Sequence, residues 1–293
     1  MKTRIPKLGV VLAALSVVAT GASVLTPAAS AYGATPPAAP ARSSSISPKH
    51  VVVVIEENHD FGQIVGNPQA PYLNSLMKHG ALFTNYHGVT HPSQPNYIAL
   101  FAGSTLGVQS DSCLTPMTKP NLGSELMAKG YTFTGFAQSL PSVGFTGCYA
   151  GAYGQKHAPW TVFSNLPKRV NQPFSHFPKR FNDLPTVSFV IPNVNYDMHS
   201  GSVKAGDTWL LRNLGRYAKW AKTHDSVLMI TFDEGFNQSN QVATVFYGAH
   251  VKTGRYRQQF DHYNLLRTIE GFYHLPLLGV THSAKTMDVA FGR

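Results

Sequence analysis

The sequence predicts an α/β fold with a mostly parallel central sheet and helices on both faces. Two observations carry that prediction. Short β-branched runs alternate with stretches at helical spacing, the pattern of repeated strand–helix units. Three of the strand runs also end in clusters of carboxylate, amide and imidazole. In open α/β sheets, ligands bind outside the carboxyl ends of the strands.

The first run, Val51 to Ile55, is continuous and β-branched, as suits a strand covered on both sides. A helix is expected around Tyr72 to His79, with Gly80 as its C-cap, followed by an extended stretch from Ala81 to Asn85. Asn96 to Phe101 reads as the first part of a helix that ends at Gly103. Asn121 to Lys129 is expected as a helix ending at Gly130, leading into a strand from Tyr131 to Phe136. Thr186 to Ile191 and Ser226 to Phe232 read as two more buried strands. Between them, Asp207 to Lys222 places Trp209, Leu210, Leu214, Tyr217, Trp220 and Ala221 at helical spacing. Val242 to Tyr247 is a further strand and Tyr263 to Tyr273 a late helix. The Gly/Pro-rich, aromatic stretch over residues 110–182 is expected to be a lid or substrate-binding insertion.

The amino terminus stands apart. Lys2, Arg4 and Lys7 precede an apolar run from Leu8 to Leu25 and the small-residue end Ala29-Ser30-Ala31, which together form a secretory signal peptide over residues 1–31. Residues 32–48 are rich in Pro, Ala and Ser and read as a flexible leader, and residues 49–293 form the folded domain. A secreted, extracellular protein is expected. The formal charge of +10 falls to about +7 once the three basic residues of the signal are removed. A moderately basic chain favours anionic substrates or lipid surfaces. Its basic residues are scattered, so no nucleic-acid footprint is present. In an oxidising compartment, Cys113 and Cys148 most simply form one disulfide, worth about 3 to 4 kcal/mol of loop entropy.

The chemistry lies at the strand ends. The first ends in Glu56-Glu57-Asn58-His59-Asp60, the second in Asn193-Val194-Asn195-Tyr196-Asp197-Met198-His199, and the third in Asp233-Glu234. Parallel strands bring these ends to one edge, and such an oxygen-rich set suits a divalent cation. Thr90-His91-Pro92-Ser93-Gln94-Pro95-Asn96 places a serine at a helix start. There it could be an N-cap, or a nucleophile beside amides that favour a phosphate. A serine hydroxyl attacks phosphorus poorly until a cation lowers its pKa.

The segments IEENHDFGQIVG, HPSQPNYIALFAGST, IPNVNYDMHSGSVKAGDTWL, MITFDEG and DHYNLLRTIEGFYHLPLLG resemble the bacterial phosphoesterase family of secreted acid phosphatases and phospholipases C. That family belongs to the alkaline phosphatase superfamily, and the resemblance covers nearly the whole mature chain. It implies an alkaline-phosphatase-like fold and a metal-bound serine nucleophile at Ser93. It implies a metal site built from Glu57, Asn58, Asp233 and Glu234, with Asp197 as a further ligand candidate. Asp197, His199 and His262 would either form a second metal site or bind the substrate, with His199 or His262 protonating the leaving alcohol. His91, Asn96, Lys156 and His157 stand as substrate-binding candidates, the last two through the YGQKHAPW segment. Glu234 occupies a position where distant superfamily members carry histidine, which favours Ca²⁺, Mg²⁺ or Mn²⁺, with Zn²⁺ an alternative.

The expected reaction is hydrolysis of phosphate monoesters through a phosphoserine, with phosphoinositide lipids as one substrate class and peripheral contact with a membrane surface. Two rivals are a phospholipase C-type phosphodiesterase, which would share the core, and a non-catalytic secreted metal-binding protein, which would have lost the nucleophile or a metal carboxylate. Neither is lost here.

Overall fold

The computed structural model describes residues 46–292. The signal segment and residues 32–45 of the leader lie outside the described residues. The last leader residues, Ile46 to Pro48, lie against the domain. Pro48 is buried, and its carbonyl accepts from the Tyr273 hydroxyl at 2.9 Å.

The elements in chain order are β1 (His50–Glu56), α1 (Phe61–Ile64), α2 (Pro71–His79), β2 (Ala81–His87), α3 (Ser93–Ala102), α4 (Leu122–Ala128), β3 (Phe133–Ala137), β4 (Tyr149–Ala150) and β5 (Tyr153–Gly154). They continue with β6 (Asn171–Pro173), β7 (Val187–Ile191), α5 (Val203–Ala221), β8 (Ser226–Phe232), β9 (Gln241–Gly248), β10 (Gly254–Tyr256), β11 (Phe260–Asp261) and α6 (His262–Phe272). Nine strands form one sheet in the order β10-β2-β9-β8-β1-β7-β3-β6, with β11 also on β2. β8, β1, β7, β3 and β6 run parallel, and β9 is antiparallel to both of its neighbours. The expected mostly parallel sheet is therefore present.

Two helical layers cover it. α2 and α5 pack on each other and on β9, while α3 packs against α4 and α6. Val51 to Val54 between them are fully buried, which explains why β1 shows no polar face in sequence. Asp207 of α5 accepts the Leu73 and Tyr72 N–H groups at 2.7 and 3.1 Å, satisfying first-turn amides of α2 that its own N-cap, Ala70, cannot. α3 ends at Gly103, whose φ of 68° is the left-handed conformation that stops a helix.

The stretch over residues 110–182 is not a separate lid. α4 and β3 lie within it, and β3 pairs with β7 inside the main sheet, with β6 at the edge. Gly135 of β3 is there because the Trp160 ring rests on it; a Cβ would lie 2.0 Å from that ring. The part that reaches the functional edge is narrower. It comprises the loop around Asp111 and the loop from β3 to His157, joined by the Cys113–Cys148 disulfide with Cα atoms 5.7 Å apart.

Candidate active site

Parallel pairing brings the ends of β1, β7 and β8 together. Glu56 stands opposite Phe232, so Glu57 and Asn58 emerge beside Asp233 and Glu234. Backbone bonds lock this edge: the Glu57 N–H donates to the Asp197 carbonyl at 2.7 Å, and the His59 N–H to that of Glu234 at 3.1 Å.

Ser93 enters the cluster from the first position of α3. Pro92, not Ser93, occupies the cap position, so the hydroxyl is not spent on capping. The hydroxyl oxygen lies 3.0 Å from Glu234 Oε1, 3.2 Å from Asn58 Oδ1 and 3.3 Å from Glu57 Oε2. One hydroxyl proton satisfies only one of these three acceptors. Asp233 Oδ1 accepts from the Asn58 N–H at 2.9 Å and the Glu234 N–H at 2.7 Å, while Oδ2 is buried with no hydrogen-bond partner. Burial pushes the Asp233 carboxyl well up, and the negative Glu57 and Glu234 push it further; burial likewise raises Glu234.

Crowded oxygens, an orphaned buried carboxylate oxygen and mutually repelling acids fit a hard divalent cation in donor chemistry. Among the described residues, no three His, Cys, Asp or Glu side chains stand already closed into a ligand shell. Glu57, Asn58, Asp233 and Glu234 are the residues that would hold the ion.

His157 lies behind Glu57. It is 1% exposed, with Nε2 2.6 Å from Glu57 Oε1 and Nδ1 3.3 Å from Asp197 Oδ2. The Glu57 contact is an ion pair rather than an aligned hydrogen bond. Burial opposes the imidazolium, but Glu57 and Asp197 outweigh it and bring its pKa up to about 10. Burial raises Glu57 in turn, and His157 with help from Lys156 and His199 outweighs it, bringing that carboxyl down to about 2. The ring stacks on Tyr97 at 5.3 Å, and the Tyr97 hydroxyl donates to Glu57 Oε1 at 3.2 Å.

Several expectations are corrected here. His157 braces Glu57 from within and does not line a substrate surface. Asp197 pairs with His157 and accepts the His199 N–H at 2.8 Å, so it stands behind the Ser93 cluster rather than in it. His262 is 1% exposed. Its Nε2–H donates to the Asp233 carbonyl at 2.6 Å, and its Nδ1 accepts from the Tyr86 hydroxyl at 3.0 Å. Burial lowers its pKa, and with both ring nitrogens bonded it orients the Asp233 turn. Asn96 is spent on the backbone. Its oxygen accepts the Val89 and Thr90 N–H groups, and its amide donates to the Thr90 and Pro92 carbonyls, which shapes the turn before Ser93. The α3 amides are also less open than expected, since Asp111 takes the Gln94 N–H at 2.9 Å and Pro95 has none.

His199 stays at the exposed rim, with its Nδ1 3.1 Å from the Ser200 hydroxyl. His91 is exposed and its Nδ1 contacts Glu234 Oε2. Lys156 reaches Asp111. Tyr97 and Asp111 escaped the sequence reading. Tyr97 could have been found, because it lies one helical turn after Ser93 on the same face. A cavity of about 920 Å³ lined by His87, Asp261, Tyr263 and Lys285 contains none of these groups, so the chemistry, not this void, marks the site.

Comparison with known proteins identifies the family and the fold. The model of the "Phosphoesterase family" matches residues 67–276, which include Ser93, Asp233 and Glu234. A phosphatidylinositol-3-phosphatase of Mycobacterium tuberculosis (strain ATCC 25618 / H37Rv) is 50% identical over 268 residues, 90% of each chain. A phosphate-repressible acid phosphatase of Penicillium chrysogenum is 28% identical over 71% of this chain and 55% of its own. Among solved structures, an alkaline phosphatase superfamily protein from Vibrio parahaemolyticus superposes with a TM-score of 0.57 at 12% identity, covering 80% of this chain and 68% of that one. The lipoteichoic acid synthase LtaP from Listeria monocytogenes gives 0.57 at 10%, covering 80% and 74%. The chain therefore belongs to the phosphoesterase family, is a hydrolase of phosphoric ester bonds, and carries its site on the fold of the alkaline phosphatase superfamily.

Proposed function

We propose that the protein hydrolyses phosphate monoesters through a phosphoserine at Ser93, in a site that uses a divalent cation, with phosphoinositide head groups among its substrates. The observation that carries this is the Ser93 hydroxyl set among Glu57, Asn58 and Glu234 oxygens, all within 3.3 Å. When bound, the cation would lower the hydroxyl pKa and neutralise phosphoryl charge.

Ser93 passes its hydroxyl proton to Glu234 Oε1, 3.0 Å away, and its Oγ attacks phosphorus in line, forming the P–O bond to serine as the ester P–O bond breaks. His199 at the rim gives its proton to the leaving alcohol. Water then attacks the phosphoserine, the P–Oγ bond breaks, and inorganic phosphate leaves. Glu57 is held ionised by His157, which keeps the oxygen cluster negative while this happens.

Lipid substrates are supported by the relative's name and by the rim. Tyr149 in β4, and Tyr196 and Phe236 on the loops leaving β7 and β8, are exposed, on the same chain segments that bring in Lys156, Asp197 and Asp233. Of the aromatic residues on the chain segment around Lys156, Tyr149 is exposed, whereas Tyr153 and Trp160 are buried. Export belongs to the same proposal, supported by the formed disulfide. Among the described residues no helix is long and apolar enough to cross a membrane; peripheral contact with lipid is part of the same proposal.

The test is Ser93→Ala and wild type with and without chelation, on an aryl phosphate, phosphatidylinositol 3-phosphate vesicles and phosphatidylcholine. Ser93→Ala should cut turnover by about 10³-fold or more, and chelation should abolish activity until Ca²⁺, Mg²⁺ or Mn²⁺ is restored. Near-normal turnover in Ser93→Ala, or full activity after verified metal removal, would overturn the reading. Faster release of diacylglycerol from phosphatidylcholine would make it a diesterase.

A further inference from the structure

Two loops distant in sequence meet at the start of α3. Asp111 stands on one and Lys156 on the other. Asp111 Oδ1 accepts the N–H of Gln94, the residue after Ser93, at 2.9 Å. Its Oδ2 accepts from Lys156 Nζ at 2.8 Å. The Gln94 side chain, with its amide nitrogen turned toward them, lies 2.8 and 2.9 Å from the Ser112 and Ser110 carbonyls, so the whole Asp111 loop is tied to the first turn of α3. Two residues beyond Asp111, the Cys113–Cys148 disulfide joins the same two loops. Gln155, next to Lys156, donates its backbone N–H to the Cys148 carbonyl at 2.8 Å and its side-chain amide to the Thr146 carbonyl at 2.9 Å.

The Lys156 side chain is only 14% exposed, so its ammonium has little water to hold it in place. Three carboxylates act on it: Glu57, Asp111 and Asp233. Two of these belong to the oxygen cluster around Ser93. Unrestrained, the ammonium would fall toward that cluster and compete with a cation there. Bound to Asp111 it uses one of its three protons and keeps two for an anion.

We infer that Asp111 is a positioning residue. It holds Lys156 away from the Ser93 carboxylates and aims it at the oxygens of a phosphoryl group, while the same carboxylate fixes the turn that presents Ser93. The inference rests on the reading of Ser93 as the nucleophile.

The experiment compares Asp111→Asn, Lys156→Gln and the double variant, using kcat and KM on an aryl phosphate and the inhibition constant for inorganic phosphate. Asp111→Asn keeps an oxygen for the Gln94 N–H and loses only the ion pair, so its fold should survive. Lys156→Gln probes the same pair from the other side should the first variant be unstable. Each single change should lower kcat/KM by about tenfold or more and weaken phosphate inhibition by a similar factor, with the melting temperature nearly unchanged. The double variant should be little worse than either single one. Losses that multiply in the double variant, or an Asp111→Asn enzyme within about twofold of wild type in both constants, would overturn the inference. An active Ser93→Ala enzyme would instead overturn the reading beneath it.

Discussion

His157 is an imidazolium enclosed between Glu57 and Asp197, with the Tyr97 ring on its face. Removing one partner of a buried ion pair leaves a charge that neither water nor protein compensates. His157→Leu therefore leaves two buried carboxylates facing each other. The expected loss is about 3 to 5 kcal/mol, measured by urea unfolding in the presence of chelator. A loss below about 1 kcal/mol would show that the two acids simply take up protons and that the clamp contributes little. His262 is the contrasting case. With one ring nitrogen on a carbonyl and the other on a tyrosine hydroxyl, it is satisfied without charge, so its role is to hold the Asp233 turn in place.

The decisive element is the start of α3 and what surrounds it. Asn96 shapes the turn before Ser93, Asp111 holds the amide after it, and the disulfide fixes the two loops that supply Asp111, Lys156 and His157. The Cys113→Ser, Cys148→Ser double variant should lose about 3 to 4 kcal/mol, the loop-entropy contribution for a sequence separation of 35. Its kcat/KM should also fall, because the Lys156 loop loses its anchor. Non-reducing mass spectrometry of the wild type should find no alkylatable thiol. An unchanged unfolding midpoint in the variant would mean that Gln155 and its backbone bonds hold the loops without the disulfide.

At the scale of the whole molecule, stability should depend on pH through an acid in the α6 layer. Glu270 is buried in α6. Its Oε1 accepts from the Leu278 N–H and the Thr281 hydroxyl, and its Oε2 has no hydrogen-bond partner. Burial raises its pKa from the ordinary 4.5 to about 7. The folded state therefore binds a proton more tightly than the unfolded chain does. That contribution is fully present below about pH 4.5 and is lost as pH rises through about 7, amounting to roughly 3 kcal/mol at most. Wild type should lose stability between pH 5 and 8 relative to Glu270→Gln, whose profile over that interval should be flatter. Parallel profiles for the two proteins would show that Glu270 does not titrate there.

The sequence by itself determined the architecture and brought the polar strand ends to one edge. β1 and β8 are buried on both faces, so their unbroken apolar runs could not be solvated strands, and their polar exits had to lie together once the strands were parallel. Its local patterns put acids at strand ends and a serine at a helix start, and the family resemblance picked Ser93, Glu57, Asn58, Asp233 and Glu234 from among them. Only the tertiary structure decided which polar side chains face the cluster and which face the backbone. Asn96 and His262 have the residue types of a site but spend their hydrogen bonds on main chain and a tyrosine. His157 and Asp197 lie one layer behind the position their motifs suggested. Asp111, seventeen residues from the amide it holds, carries no periodic signal at all. The physical reason is that backbone periodicity fixes where a strand or helix runs, whereas the direction and partner of a buried polar group depend on which distant loop is packed against it.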